Sequence, residues 1–186
     1  MLTLEHAGLE ITVQNDPTYT PRSADNVRRY DREIPTCAAR TFYSKHGLTA
    51  TSPSKRYTAI LLGCGGPTAI HAHTAVAHGD RLYVACGDAV CALTLPELAP
   101  AWICKADDAT CFGVHPIPEE TDLISHGELA IARISPGGEV VWRAWGRDIF
   151  TGECEVLSDR VRVVDWDGVV YEFAIADGRT LAPGAG

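Results

Sequence analysis

Three stretches of this chain can be laid over one another with their glycines in step. RLYVACGDAVCALTLPELAPAWICK begins at Arg81, TDLISHGELAIARISPGGEVVWRAW at Thr121 and RVRVVDWDGVVYEFAIADGRTLAPG at Arg160. Each reads as an apolar run, a glycine-marked turn, a second run, a second turn and a third run. Gly87, Gly127 and Gly168 mark the first turn, Gly138 and Gly178 the second, and Trp102 and Trp142 sit on the third run. Ala182 stands at the tryptophan position of the last copy. A period of about 40 residues with about four strands per unit marks a propeller blade, which buries its faces only by stacking on neighbours.

Within a copy the pattern is that of a strand. Val169, Tyr171, Phe173 and Ile175 alternate with Val170, Glu172 and Ala174, the period of two that half-buries a strand. The expected fold class is therefore all-β, with propeller-like blades of antiparallel strands in an incomplete ring or a small closed body. Three repeats are clear, and the N-terminal part supplies material for a fourth. ATCFGVHPI and GECEVL are assigned as fourth strands, which predicts sheets over residues 81–112, 121–157 and 160–182.

The 186 residues suit a single domain with a buried core. Residues 1–56 read as strand, with a turn at Ala7-Gly8, followed by a long polar loop punctuated by Pro17, Pro21, Pro35 and Pro53. Residues 57–77 are a strand segment, and 78–186 hold the repeats. A loop of that length is usually functional or mobile. Within it, Ser23 is placed to N-cap a short helix over residues 24–32.

The segments DWDGVVYEFAIADGRTL and GELAIARISPGGEVVW resemble the blade repeats of quinoprotein-type (pyrroloquinoline-quinone-like) propellers, over roughly residues 78–186. The resemblance implies blades of antiparallel strands with Trp102 and Trp142 packed between neighbours. It does not extend to the quinone-binding residues, which have no counterpart here, so no cofactor is expected.

The net charge of -8 disfavours nucleic acid, whose phosphates are met by clustered Lys and Arg. Arg28, Arg29 and Arg32 are interleaved with Asp25, Asp31 and Glu33, a mixed-charge face. The longest uncharged apolar stretch, around residues 57–64, is far too short to span a bilayer, and no membrane association is expected. The seven cysteines include no Cys-x-x-Cys pair and lie mostly in apolar runs. Free buried thiols and a cytoplasmic location are the expectation.

His71-Ala72-His73 is the most suggestive chemical motif. On an extended segment from Thr68 to Ala77 both rings point the same way, and His115, His126 or His78, with Asp80 or Glu128, offer further ligands. The candidate metal set is thus His71, His73, His115 and His126. Hydrogen-bonded structural histidines are the simpler reading, and no stoichiometric metal is expected. No spacing singles out a Cys–His catalytic pair among Cys64, Cys111 and these histidines. Gly63-Cys64-Gly65-Gly66 lacks the Lys-Ser/Thr of a phosphate loop and reads as a bend. Trp145, Arg147 and Asp148 form a candidate interaction patch, against which stands a loop with an internal Arg–Asp pair. The functional expectation is a non-catalytic binding protein. Its partner is another protein or a second copy of itself, and the acidic charge suits a basic one, as an immunity protein suits a basic toxin. The alternatives are a metal-dependent enzyme using His71 and His73, and a small-molecule-binding sensor fragment.

Overall fold

Short β-branched and apolar runs separated by Gly, Asp and Pro leave no stretch in which a helix could persist, and among the described residues there is none. The computed structural model describes residues 1–183. Seventeen strands form four sheets. The first is five-stranded, in the order β1 (Leu2–His6), β2 (Leu9–Asn15), β4 (Ser44–Thr51), β5 (Arg56–Gly63), β3 (Arg32–Pro35). It is antiparallel apart from the parallel pair β3–β5. Ala7 and Gly8, both at positive φ, close the β1–β2 hairpin as expected.

The other three sheets are four-stranded meanders. They comprise β6 (Ala75–His78) to β9 (Pro100–Lys105), β10 (Cys111–Pro116) to β13 (Val140–Trp145), and β14 (Cys154–Val156) to β17 (Thr180–Pro183). Strand membership corrects the expected boundaries by one strand. Cys111–Pro116 pairs with β11 (Leu123–Gly127), and Cys154–Val156 with β15 (Arg160–Val164), so each opens the next sheet instead of closing the previous one.

The sheets stack in chain order. One hydrophobic cluster joins sheets one and two through Ile11, Leu48 and Leu61 against Leu82, Val84 and Leu93. A second joins two and three, and a third joins three and four. Among the described residues no cluster joins the fourth sheet to the first, and the result is an arc of four blades.

The two indoles lock this stack. Trp102 on β9 donates Nε1–H to the Pro136 carbonyl (2.9 Å), and its ring lies on Gly138 of the next sheet. Trp142 on β13 repeats the contact, donating to the Ile175 carbonyl (2.7 Å) with its ring on Gly178. Trp142 is buried and Trp102 only half-buried, so the expected equivalence holds for contact but not for burial. Gly138 and Gly178 are left-handed, with φ of 88° and 71°. The matching turn of sheet two carries Leu98, also left-handed (φ 53°) but fully buried, because no indole docks there and its own side chain fills the interface. Gly178→Ala should therefore cost clearly more than Gly168→Ala. Both glycines have positive φ, but a Cβ at 178 lies 2.7 Å from the Trp142 ring while one at 168 meets nothing. Chemical denaturation of the two variants checks the difference; equal losses would mean that the indole contact contributes nothing.

Both ends of the arc are covered. On the first sheet Ile60 and Leu62 point away from sheet two and are roofed by Tyr19, Tyr30 and Phe42 of the long loop. Tyr30 lies across Gly47 and donates to Asp16 (2.9 Å), while Tyr19 donates to Glu33 (2.7 Å). The expected helix over 24–32 does not form. Ser23 Oγ accepts from the Asp25 amide two residues on, and Asn26 bonds back to Thr20, local turn bonds that replace a helical start. At the other end, the outward face of sheet four carries the cross-strand row Glu155, Arg162, Glu172, with Arg160 paired to Glu172. A charged outer row is how a stack of repeats terminates in water.

The expectation that all thiols are free is also corrected. Cys37, in the loop, and Cys64, just after β5, form a disulfide with a Cα–Cα distance of 6.3 Å. No Cys-x-x-Cys spacing announces it, because the loop folds back across 27 residues. The other five cysteines are free, four of them buried. Intact mass under non-reducing conditions should show the loss of one pair of hydrogens, restored by reductant after unfolding. Closing a loop of that size is worth about 3 kcal/mol in the chain-entropy account, so Cys37→Ser should lower the unfolding free energy by a similar amount.

Candidate functional site

The first strands of successive sheets line the axis of the arc. Where sheets three and four diverge, a cavity of about 590 Å³ opens, lined by Thr68, His71, His73, Phe112, His115, His126 and the segment 151–154. Strand geometry explains which side chains enter it. His115 on β10 lies opposite Ile124, and His126 lies two residues along β11 from Ile124. Alternation therefore turns both imidazoles to the face that looks at sheet four. Cys154 begins β14 and shares its inward face with Val163 opposite.

His115, His126 and Cys154 converge, with one nitrogen or sulfur atom from each lying within 4.8 Å of the others. Both histidines are more than nine-tenths buried, and neither Nε2 has a hydrogen-bond partner. Desolvation pushes His115 down to about 3, helped by the neighbouring His73, His126 and His71. It pushes His126 down to about 4 against the opposing pull of a hydrogen bond to the Phe150 backbone. Burial raises the Cys154 thiol to about 12. Gly113, beside them on β10, leaves the space these rings occupy. A Cβ there would sit 3.1 Å from His73 and 3.3 Å from His115 Nε2.

His71 and His73 do not occupy the extended segment that their pairing required. Residues 71–74 form a turn, closed by the Thr74 amide on the His71 carbonyl (3.1 Å), and β6 begins only at Ala75. His71 has both nitrogens engaged, Nε2 with the Phe112 carbonyl (2.8 Å) and Nδ1 with the His73 amide (3.2 Å). His73 is exposed and stacks on His115 with centroids 4.4 Å apart. Of the four sequence candidates, His115 and His126 are thus brought together with free lone pairs. His71 is a strut and His73 a lid on His115. His78, at the far end of β6, is not part of the group.

Cys154 was missed because its three-residue strand has no ligand spacing. Asp107 serves the fold. Its buried carboxylate accepts the amides of Ala109, Leu129 and Ala130, tying the end of β9 to the next sheet's hairpin. Asp165 accepts the Val169 amide (2.8 Å) and so closes its own turn.

On the same face of the arc lies a second concavity of about 350 Å³, lined by Asp107, Asp108, Leu129, Arg143, Trp145, Arg147 and Asp148. Trp145 is 61% exposed, and Trp166, whose amide bonds to the Ile149 carbonyl, is 70% exposed. Arg147 and Asp148 are exposed, and among the described residues they form no ion pair with each other. Arg147 is held through its amide by the Tyr171 hydroxyl (3.0 Å).

No protein-family model and no curated protein matches the chain. Solved structures match its fold. The computationally designed Ika4 protein is similar at 10% identity and a TM-score of 0.52, over 64% of this chain and 78% of that one. The WD40 β-propeller domain of Doa1 is similar at 14% identity and a TM-score of 0.52, over 77% of this chain and 50% of that one. BamB from Moraxella catarrhalis is similar at 17% identity and a TM-score of 0.50, over 81% of this chain and 48% of that one. The chain thus spans about half the length of the two natural structures, and what it shares with them is the β-propeller blade architecture.

Proposed function

We propose that the chain is a binding module that presents the Trp145–Trp166 face to a basic protein segment. The observation that carries this reading is the split among its four tryptophans. Two are spent on blade contacts, and two stand exposed on one face beside an unfilled concavity. Exposed indoles flanking a groove are the residue type that dominates binding energy at protein interfaces. Around them Asp88, Asp108, Glu128, Asp148 and Asp167 outnumber Lys105, Arg143 and Arg147, and the whole chain carries -8. Arginine or lysine side chains laid over indole faces between carboxylates are the complementary chemistry. The covered and charged ends of the arc favour a different protein over a second copy stacked end to end. Kinship with quinoprotein-type propellers belongs to this proposal too, as descent of the blade without the quinone.

Indole fluorescence tests the reading. Arg- and Lys-rich peptides should perturb the emission saturably while Glu-rich peptides of equal length do not. Trp145→Ala with Trp166→Ala, read by titration calorimetry because the reporting indoles are then absent, should weaken binding at least tenfold, about 1.4 kcal/mol or more, with the unfolding midpoint unchanged. Undiminished binding by the double variant would remove this face from consideration.

A further inference from the structure

We infer that His115, His126 and Cys154 form a binding site for one borderline-soft d¹⁰ cation, zinc(II) or copper(I), at the junction of sheets three and four. The inference is independent of the tryptophan face. Two neutral imidazoles and a thiol are the donors such cations select over the hard oxygen ligands of calcium or magnesium. The three atoms already lie within 4.8 Å of one another. Bonds of about 2.0–2.3 Å in tetrahedral array need ligand atoms about 3.5 Å apart, a contraction within reach of side-chain rotation.

The second observation is the pair of orphaned acceptors. A buried polar atom without a partner costs about 1–3 kcal/mol, and native interiors rarely keep one. Here two Nε2 atoms on adjacent strands are left so, and both belong to the same cluster. Gly113 keeps the space around His115 clear. His71, with both nitrogens committed, is excluded as a ligand.

The ligands come from two blades, so an ion would cross-link them. On binding, the Cys154 S–H bond breaks, the sulfur–metal bond forms and the proton leaves to solvent. No oxidant or reductant is involved. The remaining coordination position faces the cavity, where Glu153 lies within the lining. The proposal departs from the expectation of no stoichiometric metal, which took His71 and His73 as the leading pair and His115 and His126 only as candidates for a further ligand.

The test uses the full chain, stripped with chelator and titrated anaerobically under reductant with Zn²⁺, with Co²⁺ as a spectroscopic stand-in, and with Cu⁺ against a competing chromophoric chelator. One equivalent should bind, and the Co²⁺ form should show a thiolate-to-metal charge-transfer band. Cys154→Ser should abolish the band, and His126→Ala should weaken binding at least about 100-fold, more than loss of an outer-shell partner costs. His71→Gln should leave the band in place. X-ray absorption of the unmutated protein, which needs no variant to fold, should count one sulfur and two imidazoles. The relative affinities for Zn²⁺ and Cu⁺ identify the ion. Failure of all three ions to bind, a coordination shell without sulfur, or binding lost with His71→Gln but kept in Cys154→Ser would overturn the assignment.

Discussion

Lowering the pH from about 7.5 to about 5 should remove roughly 6 kcal/mol from the stability of the metal-free protein, a large share of the about 5–15 kcal/mol that a domain possesses. Three buried imidazoles are responsible. His46 is fully buried on the face of the first sheet that carries Leu48 and Leu61, toward sheet two, with Nε2 bonded to Thr68 and Nδ1 unpartnered. Desolvation lowers it from 6.5 to about 4, as it lowers His126 to about 4 and His115 to about 3. Each is depressed on folding, so the unfolded chain binds more protons wherever the pH lies between the two values. Stability is complete above about 6.5 and falls as the pH drops toward 4 and then 3. At about pH 5 the loss is about 2 kcal/mol for each imidazole, and the repulsion between His115 and His126 is already part of what depresses His115. Urea unfolding at the two pH values reads the effect, and His46→Gln should recover about a third of it. A flat profile over this range would show that the rings are not held neutral.

Trp142→Ala should cost about 3–5 kcal/mol, the usual loss for a large core aromatic. The ring packs in the third cluster with Ile117, Phe150 and Phe173, and its loss opens a void that the sheets cannot close without separating. Its hydrogen bond to the Ile175 carbonyl is partly backed up, because Arg133 donates to the same oxygen (3.0 Å) while paired with Glu120 and Asp122. The loss is therefore mainly one of packing. Trp102→Ala should cost less, since that ring is only half-buried and touches fewer apolar neighbours. Equal losses at the two sites, or a loss at Trp142 below about 1 kcal/mol, would contradict the interlocking geometry.

The parts of the fold that were legible in the sequence are those fixed by local stereochemistry. Gly87, Gly138, Gly168 and Gly178 all hold left-handed backbone, and the turns fall where these glycines put them. Gly127 does not: its backbone is ordinary, and it is glycine because a Cβ would run into the Asp107 carboxylate. Which strand belongs to which sheet was not legible. Strand β10 carries Gly and His and β14 is only three residues long, and nothing in their own residues says whether they pair forward or backward. The site was half legible. His115 and His126 drew attention as ligand types, but their meeting with Cys154 depends on how two sheets stack across 28 residues or more of chain. His71-Ala72-His73 had the right local spacing and the wrong local conformation, because the Thr74 hydroxyl accepts the His71 amide (2.9 Å) and helps hold the segment in a turn.

The indole-on-glycine contact makes the middle of this molecule modular. A duplicate of residues 106–145 spliced in after Trp145 would offer its own Gly138 to the preceding Trp142, and its own Trp142 to the waiting Gly178. The chain could lengthen by one blade without a new interface having to be invented. The same does not hold at the margins. Ahead of the third sheet the socket glycine is replaced by Leu98, which fills its own space, and the last repeat carries Ala182 where the indole is found in the others. Growth by duplication is thus open at the two interior seams and closed at the first. Which seams can accept an added blade is written into three turn residues and the presence or absence of a tryptophan.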